Sequence, residues 1–200
     1  MTNAAKTSLP MLSLETAAPE AREVLERAKK QVGMVPNMYA YMAHIPGLLE
    51  TYLFGYERFR NESGFTSPEQ EVVFLAVSRE NACHYCMAAH SFLADTQSGV
   101  ARAVTDAIRN DEPIPHPQLG TLATFTRTMV RTRGRPTEAD LTAFLAAGYA
   151  DRHVFGIILA IGVKTLSNYT NHFADTPLDS FFQGRSWAAP GTTDACTCAG

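Results

Sequence analysis

Two thiols, an imidazole and a carboxylate stand at spacings that can build one redox site. Glu71, Cys83, Cys86 and His90 read Glu-x11-Cys-x2-Cys-x3-His within EVVFLAVSRENACHYCMAAH. On a helix, positions three and four apart share a face. Cys83 and Cys86 can therefore bring two sulfurs within reach of a disulfide after modest local adjustment. His90, one turn beyond Cys86, can lie beside that sulfur and take its proton, and the thiolate, not the thiol, is the nucleophile. Glu71 falls on the preceding helix or turn and can orient His90 from the other side, giving the carboxylate–imidazole–thiol chain that activates a nucleophile.

Other readings of the same residues compete. Free cysteines are often core filler. Cys83, Cys86 and His90, with His84 as a further donor, offer zinc ligands, but a structural zinc site needs four donors. Cys196 and Cys198 could complete such a set only if the tail folded back. Tyr85 either completes a proton relay through its hydroxyl or packs as an aromatic beside the dithiol. His84 reads as a solvated helix residue, Arg79 and Glu80 as surface groups, and Asn81 as the cap of the cysteine helix. Asn168 and His172, four apart, can face one pocket, with a structural role favoured for the histidine. Cys-x-Cys at 196–198 reads as an incidental pair in a Gly/Thr/Ala tail, with soft-metal binding or reduction of the main dithiol as alternatives.

The elements that must position the site read as helices throughout, so the expected fold class is all-α. Pro19–Gln31 has proline at its start and charges along one face. Short and long helices follow at about 38–43 and from Pro46 to about Asn61, closed near Gly64. Thr66-Ser67-Pro68-Glu69 is a helix start with a hydroxyl cap, proline and acids in the first turn. That helix runs to about Glu80. A second, from about Cys83 to Gln97, carries the dithiol in its first turn, where the helix dipole favours a thiolate. Further helices are expected over 101–110, 118–131, from Thr137, and over 151–172. An offset of 70 aligns Ser67 with Thr137 and Phe74-Leu75-Ala76 with Phe144-Leu145-Ala146, a weak internal repeat. Residues 1–18 read as a loosely held arm, 19–177 as a single helical domain, and 178–200 as a tail.

The 200 residues are 46% hydrophobic, enough for a sizeable core, and carry a formal net charge of −3. There is no basic surplus for nucleic acid or an anionic membrane, no apolar run long enough to span a bilayer and no secretory leader pattern. The expected location is the cytoplasm, where close cysteine pairs are more often catalytic or metal-binding than structural.

At Glu71 through His90, centred on Cys83-His84-Tyr85-Cys86, the chain resembles the alkylhydroperoxidase D-like, or carboxymuconolactone decarboxylase-like, superfamily, and its peroxidase-related branch most. The likeness extends more loosely over 19–177, including VPNMY and SNYTNHFADTPLD. It implies a helical fold assembling as homo-oligomers, trimers or hexamers, and reduction of hydroperoxides without metal or organic cofactor. By that pattern Cys86 is the peroxidatic thiol and Cys83 the resolving one. His90 activates Cys86, Glu71 supports His90, and an external thiol or dithiol restores the pair. Tyr85 stands where the better-known peroxidases often carry histidine. The cysteine pair argues against lactone decarboxylation. A dithiol–disulfide exchanger and a non-enzymatic zinc-binding or redox-sensing oligomer are the alternatives.

Overall fold

The structure, a computed structural model, describes residues 5–189. Within them the chain forms α1 (Pro19–Val32), α2 (Asn37–Met42), α3 (Pro46–Glu62), α4 (Ser67–Glu80), α5 (His84–Thr96), α6 (Arg102–Asn110), α7 (Pro117–Arg131), α8 (Glu138–Ala146) and α9 (Asp151–Ala174). A 3-10 turn follows at Ser180–Arg185. No strand occurs among the described residues, as the all-α reading expects. Cys196 and Cys198 lie outside the described residues.

The bundle is organised around α4. Its residues from Gln70 to Ser78 are all buried, and a helix apolar on nearly every side must be enclosed. α5, α6, α7 and α9 enclose it. Thr66 and Glu69 form the expected capping box at its start. A second box, Thr137 with Asp140, opens α8. The α4–α5 and α8–α9 pairs thus share a capped first helix, but α8 has 9 residues where α4 has 14.

The turn from α4 into α5 sets the dithiol. Ala82 adopts a left-handed φ of 53°, which costs a non-glycine residue about 1–3 kcal/mol. The Ala82 amide donates to the Arg79 carbonyl and the Cys83 amide to the Ser78 carbonyl, the two bonds of a Schellman ending. Cys83 is therefore the last residue tied to α4 and the N-cap of α5. Asn81 does not cap the cysteine helix. It is the C-cap of α4, and its side-chain amide donates to Asn168 at 2.8 Å.

α9 crosses α3 closely at Gly55, where an added Cβ would lie 2.8 Å from a Val163 methyl. Overpacking of this kind costs about 1–3 kcal/mol. Gly55→Ala should lower the urea unfolding midpoint accordingly, despite its better helix propensity; an equal or higher midpoint would show that α9 gives way freely.

Both ends of the described chain are fastened to the bundle. In the arm, the Thr7 amide donates to Phe173, the Leu12 amide to Ala40, and Lys6 pairs with Asp175. The segment after 177 packs on α5. Arg185 pairs with Asp95 and Asp106, and the Trp187 indole donates to the Arg109 carbonyl. The first part of the presumed tail, through residue 189, thus belongs to the folded body. Arg79 and Glu80 are likewise not free surface groups: Arg79 pairs with Asp111, and Glu80 with Arg127 and Arg131.

Candidate active site

α4 and α5 bring the carboxylate and imidazole together as the spacing suggests. His90 Nδ1 lies 2.8 Å from a Glu71 oxygen, and both groups are buried. The other Glu71 oxygen accepts from Arg60 on α3. Arg60 also donates to the Tyr56 hydroxyl at 2.6 Å and to Gln70 at 3.1 Å, while its guanidinium lies over the Phe74 ring. Burial opposes ionisation of Glu71, but His90 and Arg60 outweigh it and hold the carboxyl below its ordinary range. Burial, helped by the Lys164 charge, pushes the His90 pKa down against the pull of Glu71. The ring is therefore neutral near pH 7. With Nδ1–H donated to the carboxylate, Nε2 keeps its lone pair free to accept a proton.

These shifts have a consequence for stability. The native ring resists a proton that the unfolded chain accepts below the ordinary histidine value of 6.5. Glu71 adds stability above its ordinary 4.5, lost as pH falls through its lower native value. Both make stability fall on acidification, His90 first. The melting midpoint should drop between pH 7 and pH 5, and His90→Gln should flatten that drop. Parallel curves for the two proteins would remove His90 from this account.

The two thiols differ sharply. Cys83 has no exposed surface, whereas Cys86 borders a cavity of about 700 Å³ that His90 also lines. Burial and the neighbouring Cys86 push the Cys83 thiol well up. Burial also opposes ionisation of Cys86, but the hydrogen bond with Cys83 and the Lys164 charge, foremost, bring it well below the ordinary thiol value. The hydrogen bonds at the sulfur come from α9. The Cys86 thiol faces the Ser167 hydroxyl at 3.8 Å, and the Asn171 amide donates to Cys86 at 3.3 Å and to Cys83 at 3.8 Å. Among the described residues no direct hydrogen bond joins His90 to Cys86.

Tyr85 does not turn its hydroxyl to either sulfur. It donates to the buried Asp179, which also accepts from the Asn37 amide at 3.2 Å. Its ring meets Phe182 edge-on. Tyr85 thus fastens the C-terminal segment over the cavity. His172 is exposed, whereas Asn168 and Asn171 on the same helix are buried.

Sequence reasoning missed most of the α9 contribution. Lys164, Ser167, Asn168 and Asn171 are all fully buried and recur at i, i+3, i+4 and i+7. That polar stripe on an otherwise apolar helix is visible in KTLSNYTN and marks a face turned toward other polar groups. Arg60 gave no such signal, because its partner lies on another helix. Among the described residues, no group of three or more histidines, cysteines and carboxylates is placed to hold a metal ion. No single helix among them is long and apolar enough to cross a membrane.

No protein-family model matches the chain, and no curated protein matches it. Solved structures do. A peroxidase-related protein of Ralstonia eutropha, described as an alkylhydroperoxidase AhpD core, superposes with a TM-score of 0.74 at 22% identity, covering 87% of this chain and 93% of its own. The chain has the alkylhydroperoxidase D-like fold. A second such fold, a peroxidase-related protein of Silicibacter sp., gives a TM-score of 0.72 at 23% identity over 92% of this chain and 96% of its own. The debrominase Bmp8, in complex with 2,3,4-tribromopyrrole, gives 0.71 at 14% identity over 90% of this chain and 95% of its own.

Proposed function

We propose that the protein is a thiol peroxidase that reduces organic hydroperoxides through Cys86 and Cys83. The observation that carries this reading is the asymmetry of the dithiol. The low-pKa sulfur borders the cavity, and the high-pKa sulfur lies buried behind it. A thiolate at Cys86 attacks the peroxide oxygen remote from carbon. The O–O bond breaks, the alkoxide leaves as the alcohol after taking a proton from the His90 side, and sulfur is oxidised to a sulfenic acid. The Cys83 thiol then attacks that sulfur, forming the disulfide and releasing water. An external dithiol reduces the disulfide by exchange and leaves as its own disulfide. Glu71 keeps His90 in the accepting tautomer throughout.

The cavity supports an organic rather than a macromolecular oxidant. Cys86 is only 2% exposed, and Tyr39, Tyr52, Phe92 and Phe182 are among the lining side chains. A protein disulfide cannot approach a sulfur so enclosed without opening the fold. The same aromatic wall supports a second electrophile, a halogenated aromatic ring of the kind bound by the structurally similar debrominase. There the thiolate takes the halogen, the ring carbon takes a proton, and Cys83 displaces halide to form the same disulfide. Exposed Phe155, Ile158, Tyr169 and Phe173 along α9 support assembly of copies as a homo-oligomer, which light scattering would read.

The test is mass spectrometry of the reduced protein after one equivalent of cumene hydroperoxide, with peptide mapping. A Cys83–Cys86 disulfide should form within seconds, and Cys83→Ser should instead hold a sulfenic acid on Cys86. Thiols that stay open to alkylation would exclude peroxidase chemistry. Disulfide formation with 2,3,4-tribromopyrrole alone would select the halogenated substrate.

A further inference from the structure

Lys164 has no surface exposure, and its Nζ has no hydrogen-bond partner among the described residues. It lies over the Phe74 ring, 5.5 Å from the centroid, and borders the same cavity as Cys86 and His90. A buried ammonium without an anion is strongly unfavourable, so a lysine kept here needs a negative partner. Glu71, the nearby buried carboxylate, already serves Arg60 and His90. The remaining candidate on the cavity wall is the Cys86 sulfur. Asn171, two turns beyond Lys164 on the same face of α9, already donates to that sulfur at 3.3 Å, and Ser167, one turn beyond, faces it at 3.8 Å.

We propose that the Lys164 ammonium is the fixed counter-charge that holds Cys86 as a thiolate, with the Asn171 amide as its hydrogen-bond donor from α9. The inference rests on Cys86 being the reactive thiol. It gives α9 the electrostatic task and leaves His90 the proton.

The groups around Cys86 leave Lys164 this role. From α2 and α3 come the phenols of Tyr39 and Tyr52, and from α5 that of Tyr85. Burial raises all three, so they stay neutral. Cys83 stays a thiol for the same reason. His90, lowered by burial, and the half-exposed His172 toward the end of α9, lowered by partial desolvation, carry no standing charge near pH 7. Arg60 faces Glu71. Lys164 is thus the cation beside Cys86, among the described residues, that no carboxylate neutralises.

The experiment is the pH dependence of iodoacetamide alkylation at Cys86, read by peptide mass spectrometry on the reduced full chain. Alkylation needs the thiolate, forms one C–S bond and releases iodide. Lys164→Met should move the half-maximal pH upward by at least one unit, slowing alkylation at pH 6 tenfold or more. Lys164→Arg should recover part of the shift. A midpoint within 0.3 units of the parent, in a Lys164→Met protein with unchanged circular dichroism, would overturn the proposal. Should that variant not fold, the unmutated protein decides. Capping Cys86 with iodoacetamide, as a thioether that Cys83 cannot displace, removes the anion, so the Lys164 Nζ resonance should titrate at lower pH in capped than in free protein, because the coupling is reciprocal; identical titrations would overturn it equally. A protein that consumes no peroxide but shows the Lys164-dependent profile keeps this inference and loses the peroxidase reading.

Discussion

Cys86→Ser is expected to abolish peroxide turnover. Serine is nearly isosteric at this site and can keep both α9 contacts, donating to Ser167 and accepting from Asn171, the partners Cys86 has at 3.8 Å and 3.3 Å. It cannot stand as the anion facing Lys164, however, and losing one partner of a buried charge pair costs about 3–5 kcal/mol. Chemistry should change more still. A serine hydroxyl is not ionised by the cradle that ionises the thiol, and alkoxide oxygen is a poor nucleophile toward peroxide oxygen. Loss of the nucleophile should cost roughly 10⁴-fold or more in kcat/KM. The measurement is consumption of cumene hydroperoxide with a dithiol reductant in excess. Retained turnover would move the nucleophile to Cys83, which does not border the cavity, and would require the fold to open during catalysis.

The helices were legible because each carries its own start signal. Thr66-Ser67-Pro68-Glu69, Pro46 and Thr137 mark starts that depend on neighbours in sequence alone, so α3, α4 and α8 begin where those residues imply. The Glu71–His90 contact was legible for a related reason: one tight turn joins α4 to α5, so the spacing nearly fixes the geometry. What sequence distance hid was the far wall. Lys164, Ser167 and Asn171 stand about 80 residues from Cys86, and nothing local says which face of α9 meets α5. The lone signal was a polar stripe on an apolar helix, which is informative only once burial is known. The relay reading of Tyr85 failed for the same reason. Its neighbours in sequence are the thiols, but its partner Asp179 arrives from the C-terminal segment, a stretch whose Gly/Thr/Ala continuation reads as a tail.

Glu71→Gln should separate what the carboxylate does for folding from what it does for chemistry. The side chain is 1% exposed and accepts from Arg60, from His90 at 2.8 Å and from Ser98 at 3.4 Å. Glutamine keeps the shape and one acceptor oxygen, so His90 can still donate Nδ1–H. Its amide NH₂ then meets Arg60 donor to donor. Removing one partner of a buried ion pair costs about 3–5 kcal/mol. Arg60 keeps its bonds to Tyr56 and Gln70 and is 22% exposed, which places the expected loss near the lower end, about 3 kcal/mol. Activity should fall by roughly 10²–10⁴-fold, the range for losing a positioned general base. The decisive reading is the pH profile. Glu71 raises the His90 pKa against burial and Lys164, so its neutral replacement should move the acid limb of kcat/KM to lower pH. A destabilised variant whose acid limb stays in place would assign Glu71 to folding alone and leave the orientation of His90 to the packing of its ring against Phe74, 4.7 Å away.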